Sequence, residues 1–132
     1  MGLPLRQTRI ARPTDQLEAV VAFYRDGLGL AELLRFDDHD GYSGVMLGHP
    51  GVDWHLEFTT HVDGSPGRAP TRDNLLVFYL GGDAEVRVVA DRLAAFGHRP
   101  VAAENPFWPD NGGLTIEDPD GWRIVLMPSA GL

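Results

Sequence analysis

His55-Leu56-Glu57 sets an imidazole and a carboxylate two residues apart. On an extended strand that spacing turns both side chains to one face. Such a pair could move protons, one group as base and the other orienting it, or could give two ligands to a metal with His39 or His61 as a third. Trp108, within Phe107-Trp108-Pro109, could lid a cleft and stack on a planar or apolar ligand, or cover a core edge or a dimer contact. The acidic turn Asp37 to Asp40 is a solvated turn rather than a calcium loop, because Gly48 stands where such a loop needs its bidentate Glu. Other chemistries are excluded by residue type. The chain has no Lys for a Schiff base and no Cys for a thiol nucleophile, disulfide or thiolate metal site. No Ser sits in a nucleophile-elbow sequence, and Gly81-Gly82-Asp83 lacks the Lys and spacing of a phosphate loop.

The elements that must position these groups belong to one domain, since 132 residues leave no room for a second core. Hydrophobic residues at 43% and charged residues at 23% match a globular chain and argue against a disordered or fibrous one. The net charge of −8, with eleven arginines spread from Arg6 to Arg123, speaks against a nucleic-acid partner. Met1 to Ile10 carries Arg and Gln where a signal peptide needs an apolar core, and no stretch is apolar enough to span a membrane, so a cytoplasmic location is expected.

Glycines and prolines cut the chain into short elements. Leu5 to Arg12 reads as a first strand. Asp15 to Leu28 reads as a helix, with Asp15 and Glu18 as a capping pair, Leu17, Val20, Val21, Tyr24 and Leu28 at helical spacing, and Gly29 closing it. Leu30 to Phe36, Tyr42 to Leu47 and Trp54 to Thr60 read as three strands. A polar linker over 61–73 follows, and the order then recurs: a strand from Asn74 to Leu80, a helix opened by Gly81-Gly82-Asp83, and strands at Val101 to Ala103, Gly113 to Glu117 and Trp122 to Met127. Arg9 and Asn74, the two strand starts, are about as far apart as Glu57 and Val125 near the two ends. The spacing predicts two equivalent βαβββ modules, 5–60 and 74–128, within a single domain of residues 1–132.

Two stretches carry a family resemblance. Ala22-Phe23-Tyr24-Arg25-Asp26-Gly27-Leu28-Gly29-Leu30 and Glu117-Asp118-Pro119-Asp120-Gly121-Trp122 resemble the helix end and C-terminal turn of the vicinal oxygen chelate superfamily, which holds glyoxalases, bleomycin-resistance proteins and extradiol dioxygenases. The resemblance implies an α+β fold whose two βαβββ modules form a curled mixed sheet around a cleft, usually in a homodimer. It also implies four strand positions that in metal-using members hold one divalent ion. Those positions fall on Arg9, Glu57, Asn74 and Val125, and only Glu57 is a ligand of the usual kind. Arg has no lone pair to give, Val has none, and Asn offers a neutral carbonyl. The expectation is therefore no metal at that place and no other cofactor, with an off-position divalent ion kept as the alternative.

Strand alternation around those positions assembles an expected cleft of Gln7, Arg9, His55, Glu57, Asn74, Phe78, Arg123, Val125 and Met127. In one reading Arg9 pairs with Glu57 in place of the metal's charge. In the other, Arg9 or Arg123 holds a ligand carboxylate or phosphate while Glu57, oriented by His55, acts on it. Two arginines against Glu57, beside Phe78, Val125 and Met127, favour a small amphiphilic anion. The expected function is a metal-independent small-molecule-binding protein that sequesters such a ligand or acts on it by acid–base chemistry. A metal-dependent lyase or isomerase of the glyoxalase type is the alternative.

Overall fold

Pro13 has no N–H for a further ladder bond and closes β1, Thr8–Pro13, of the computed structural model, which describes residues 1–64 and 67–132. Ser65 and Pro66 of the predicted linker lie outside the described residues. The chain divides into two units, Met1–Gly67 and Arg68–Leu132.

In the first unit β1 is followed by α1, Leu17–Val21, a π-helical segment Ala22–Gly27, β2, Ala31–His39, β3, Tyr42–Gly48, and β4, Trp54–His61. The sheet order is β1-β4-β3-β2, with β1 parallel to β4 and the other pairs antiparallel. The predicted cap at Asp15 is displaced. The helix starts after Gln16, whose N–H donates to Thr14 Oγ1 at 3.0 Å. Beyond Val21 the helix widens, so that Leu28 N–H donates to the carbonyl of Phe23, five residues back, at 2.8 Å. The extra residue brings Phe23 and Tyr24, neighbours in sequence, both to 0% exposure. Tyr24 stacks on Phe58 of β4 with ring centroids 4.8 Å apart. Gly29, at φ 99°, lets the chain turn out of the helix into β2. Phe58 and Leu56 thus face the helix, and Arg9, His55 and Glu57, one residue out of phase with them, share the opposite face of the sheet.

The second unit comprises β5, Leu75–Tyr79, α2, Asp83–Ala95, α3, Phe107–Asp110, β6, Leu114–Glu117, and β7, Arg123–Met127. Its sheet runs β5-β7-β6, with β5 parallel to β7 and β6 antiparallel to it. The predicted strand at Val101 to Ala103 is reduced to one bridge, Val101 to Thr115. The next carbonyl, that of Ala102, accepts from Arg123 Nη1 at 3.0 Å and does not extend the ladder. With that bridge counted, the unit repeats the strand order of the first. The stretch around Trp108, predicted as a loop, forms the single turn α3. The Asp118-Pro119-Asp120-Gly121 turn is closed by Asp118 Oδ1, which accepts from the N–H of Asp120 at 2.8 Å and of Trp122 at 3.0 Å. The architecture is α+β, with two open sheets of four and three strands and few helices.

Candidate functional site

β1 and β4 lie in parallel register with Arg9 opposite His55 and Ala11 opposite Glu57, so three chemical side chains meet on the open face of the first sheet. Arg9 Nε donates to His55 Nε2 at 2.8 Å, and Arg9 Nη1 lies 3.6 Å from Glu57 Oε2. The guanidinium also reaches Met46 Sδ at 3.5 Å. Arginine can only donate, so His55 accepts through Nε2 and carries its own proton on Nδ1. That Nδ1–H is buried and has no partner among the described residues. His55 therefore holds no lone pair free to take a proton, whereas Glu57 does. The Glu57 side chain is 13% exposed and that of Arg9 47%, which leaves the arginine open to an incoming group.

The same face has an apolar half that strand alternation alone did not reveal. Met46 of β3 is opposite both Glu57 and Leu34, and Gly44 is opposite Phe36, which places Leu34, Phe36 and Met46 beside the polar trio. A side chain at Gly44 would collide with the Phe36 ring, 2.7 Å from its nearest carbons. Register shifts in β2 on both sides of Leu34 to Phe36 hide this pairing from the sequence. Gln7 is exposed and precedes β1.

In the second unit the register corrects the expected set. Leu75 is opposite Arg123, Val77 opposite Val125 and Tyr79 opposite Met127, so Arg123, Val125 and Met127 share a face with the odd-numbered residues of β5. Phe78 is opposite Leu126 and turns to the other face, and Asn74 is exposed ahead of the strand. A one-residue slip reverses every side chain. Leu75, not Asn74, is thus the position equivalent to Arg9. The expected surplus of positive charge is also corrected. Arg123, its side chain 5% exposed, donates through Nε to Glu117 Oε2 at 3.1 Å and through Nη1 to Ala102 O, so its charge is already matched. Trp108 is half-buried in α3, its ring edge-on to Phe107 at 5.0 Å.

These residues do not fit a divalent metal. An ion on Glu57 would meet the guanidinium of Arg9, which also occupies the imidazole nitrogen beside it. His39 and His61 lie next to Asp40 and Asp63 respectively. Among the described residues no three His, Asp or Glu side chains group so as to hold an ion.

The chain matches the YycE-like N-terminal domain over residues 8–59 and the YycE-like C-terminal domain over residues 73–128. It is 50% identical over 126 residues to the protein YycE of Bacillus subtilis (strain 168), covering 96% of this chain and 90% of that one. A crystal structure of a YycE protein from Bacillus subtilis superposes with a TM-score of 0.89 at 48% identity, covering 96% of this chain and 92% of the other. The trypanothione-dependent glyoxalase I of Leishmania major superposes at 0.71 with 17% identity, covering 92% and 84%. The fosfomycin resistance protein FosX of Mesorhizobium loti superposes at 0.68 with 14% identity, covering 96% and 90%. The last two likenesses are of fold alone. No helix of the described residues is long and apolar enough to cross a membrane.

Proposed function

This chain belongs to the YycE-like family of the vicinal oxygen chelate superfamily, and on that premise we propose that it binds a small amphiphilic anion without a metal, sequestering it or acting on it by acid–base chemistry. The observation that carries the reading is Arg9, which supplies a fixed positive charge on Glu57's own face. At 3.6 Å the Arg9–Glu57 pair is loose, and the arginine is half-exposed, so a ligand carboxylate or phosphate competes for it on favourable terms. The apolar body of the ligand lies over Leu34, Phe36 and Met46. His55 Nδ1–H offers one further donor. With His55 committed to Arg9, the group that takes a proton is Glu57, and His55 holds the arginine in place.

The same reading keeps the homodimer and the cytoplasmic location expected from the sequence, and neither alters the roles of Arg9 and Glu57. Elemental analysis of protein purified without chelator tests the metal part. Well under one divalent ion per chain is expected. One tightly held transition ion per chain, lost in Glu57→Gln, would overturn the proposal in favour of a glyoxalase-type lyase or isomerase.

A further inference from the structure

β2 breaks the alternation of its side chains at one point, beside the face that carries Arg9. Glu32 is opposite Leu47 and Leu34 is opposite Met46, so Leu33 is an extra residue, a bulge in the edge strand. Leu34 belongs to the open face through Met46, which is opposite Glu57. Leu33 belongs to it as well, because a side chain at Gly48, opposite His55, would meet Leu33 Cδ1 and His55 Cβ, each at 3.1 Å. Two consecutive leucines thus share one face, and they are 43% and 51% exposed. A regular strand would send one of them to the helix side. Apolar surface held in water beside a charged site is where the apolar part of a ligand gains by burial. The inference rests on Arg9 holding an amphiphilic anion: we propose that this anion is a medium-chain acyl carboxylate, its carboxylate at Arg9 and its terminal methyl over Leu33 and Leu34.

The sheet order sets the length of the ligand. From β1 to β2 the path crosses β4 and β3, roughly 14 Å at the usual strand spacing, which an extended alkyl chain of about ten carbons covers. A short acid would end over Met46 and leave the leucines in water. The path is apolar from its start. Met46 Sδ lies 3.5 Å from Arg9 Nη2, and Leu33 Cδ1 leans over Gly48 toward the Cβ of His55. At the far end Glu32 and Arg35 stand on the helix side, opposite Leu47 and Val45, and pair with each other at 3.0 Å. Neither brings its charge to the leucines, which favours a methyl end over a second carboxylate.

The test titrates butyrate, decanoate and decanedioate into the full chain by calorimetry and follows the Leu33 and Leu34 methyl resonances by NMR. Decanoate is expected to bind about a hundredfold more tightly than butyrate, because its added methylenes lie half-buried along the path. It should also bind more tightly than decanedioate. Decanoate should move the methyl resonances of both leucines, and butyrate should leave them in place. The double change Leu33→Gln and Leu34→Gln, at two half-exposed positions, should weaken decanoate about tenfold and leave butyrate within about twofold. Equal affinity for butyrate and decanoate, tighter binding of decanedioate, leucine methyls unmoved by bound decanoate, or wild-type affinity in the double variant would overturn the chain-length inference and leave Arg9 as an anion site. Binding of none of the three acids would overturn both.

Discussion

Each unit sets an arginine into its sheet, and the two are held in opposite ways. Arg9 stands on the first strand of its unit, 47% exposed, with its carboxylate 3.6 Å away. Arg123 stands on the last strand of the other, 5% exposed, with a carboxylate at 3.1 Å and a backbone carbonyl at 3.0 Å. A buried guanidinium with matched acceptors is part of the scaffold, because releasing it would strand a charge away from water. A loosely paired, half-exposed guanidinium can exchange its partner at small cost. Residue type alone made the two arginines equivalent, and their surroundings divide them into a buried, matched clamp and a half-exposed group with a loose partner, the one proposed to hold a ligand.

The sharpest way to break that contrast is to remove each arginine. Arg123→Ala leaves Glu117 and the Ala102 carbonyl without their donor. Discounted for the partial exposure of Glu117, the loss should be about 2–4 kcal/mol in urea unfolding. Arg9→Ala takes the donor from buried His55 Nε2 but otherwise breaks only a loose, half-exposed ion pair, so it should cost less, about 1–2 kcal/mol. Equal losses would erase the distinction.

Gly44→Ala probes the apolar half of the first unit's face. Its new methyl would lie 2.7 Å from the Phe36 ring and 3.1 Å from the Phe58 carbonyl, so the ring must move. A destabilisation of about 1–3 kcal/mol is expected by thermal unfolding, as for other overpacked sites. Glu57→Gln should cost less, below about 1 kcal/mol, since the pair it weakens is long and its arginine is half in water. A larger loss would make the pair a structural element like that of Arg123.

The smallest effect concerns the surface network in which Arg25 bonds Asp26 and Glu32, and Arg35 bonds Glu32 and Glu18. The hydrogen bond from Arg25 holds the Asp26 carboxyl below its usual value, and that from Arg35 does the same for Glu32. Groups depressed on folding add stability above the ordinary carboxylate range near pH 4 and lose it as the pH falls through the lowered values. Stability followed from pH 6 to pH 2 should therefore drop less steeply in Glu32→Gln than in the wild type. The difference should shrink in 1 M salt.

Much of the fold was legible because turn residues and periodicity fix where elements begin and how they repeat. The Asp118 to Gly121 turn and the alternation of β4 both place their residues as read. What was hidden depends on single-residue shifts. The π-helical widening after Val21 inserts one residue that no periodic count contains. The register that sets Leu75, not Asn74, on the face of Arg123 and Val125 puts Phe78 on the other face and removes it from the set. Glu117 was missed although its signal was present. A short connection of five residues, 118–122, sets the ends of the two strands opposite one another, and Glu117 is opposite Arg123. Leu34, Phe36 and Met46 depended on bulges that sequence does not mark.

The central claim is that Arg9 replaces a metal in holding an amphiphilic anion. Calorimetric titration of 3-phenylpropionate and 3-phenylpropylammonium into chelator-treated wild type and Arg9→Ala tests it most directly. The account predicts that the acid binds the wild type without any divalent ion, binds better than the amine, and loses about tenfold or more in affinity in Arg9→Ala. Acid binding that requires an added divalent ion, or that is untouched by removing Arg9, would contradict it.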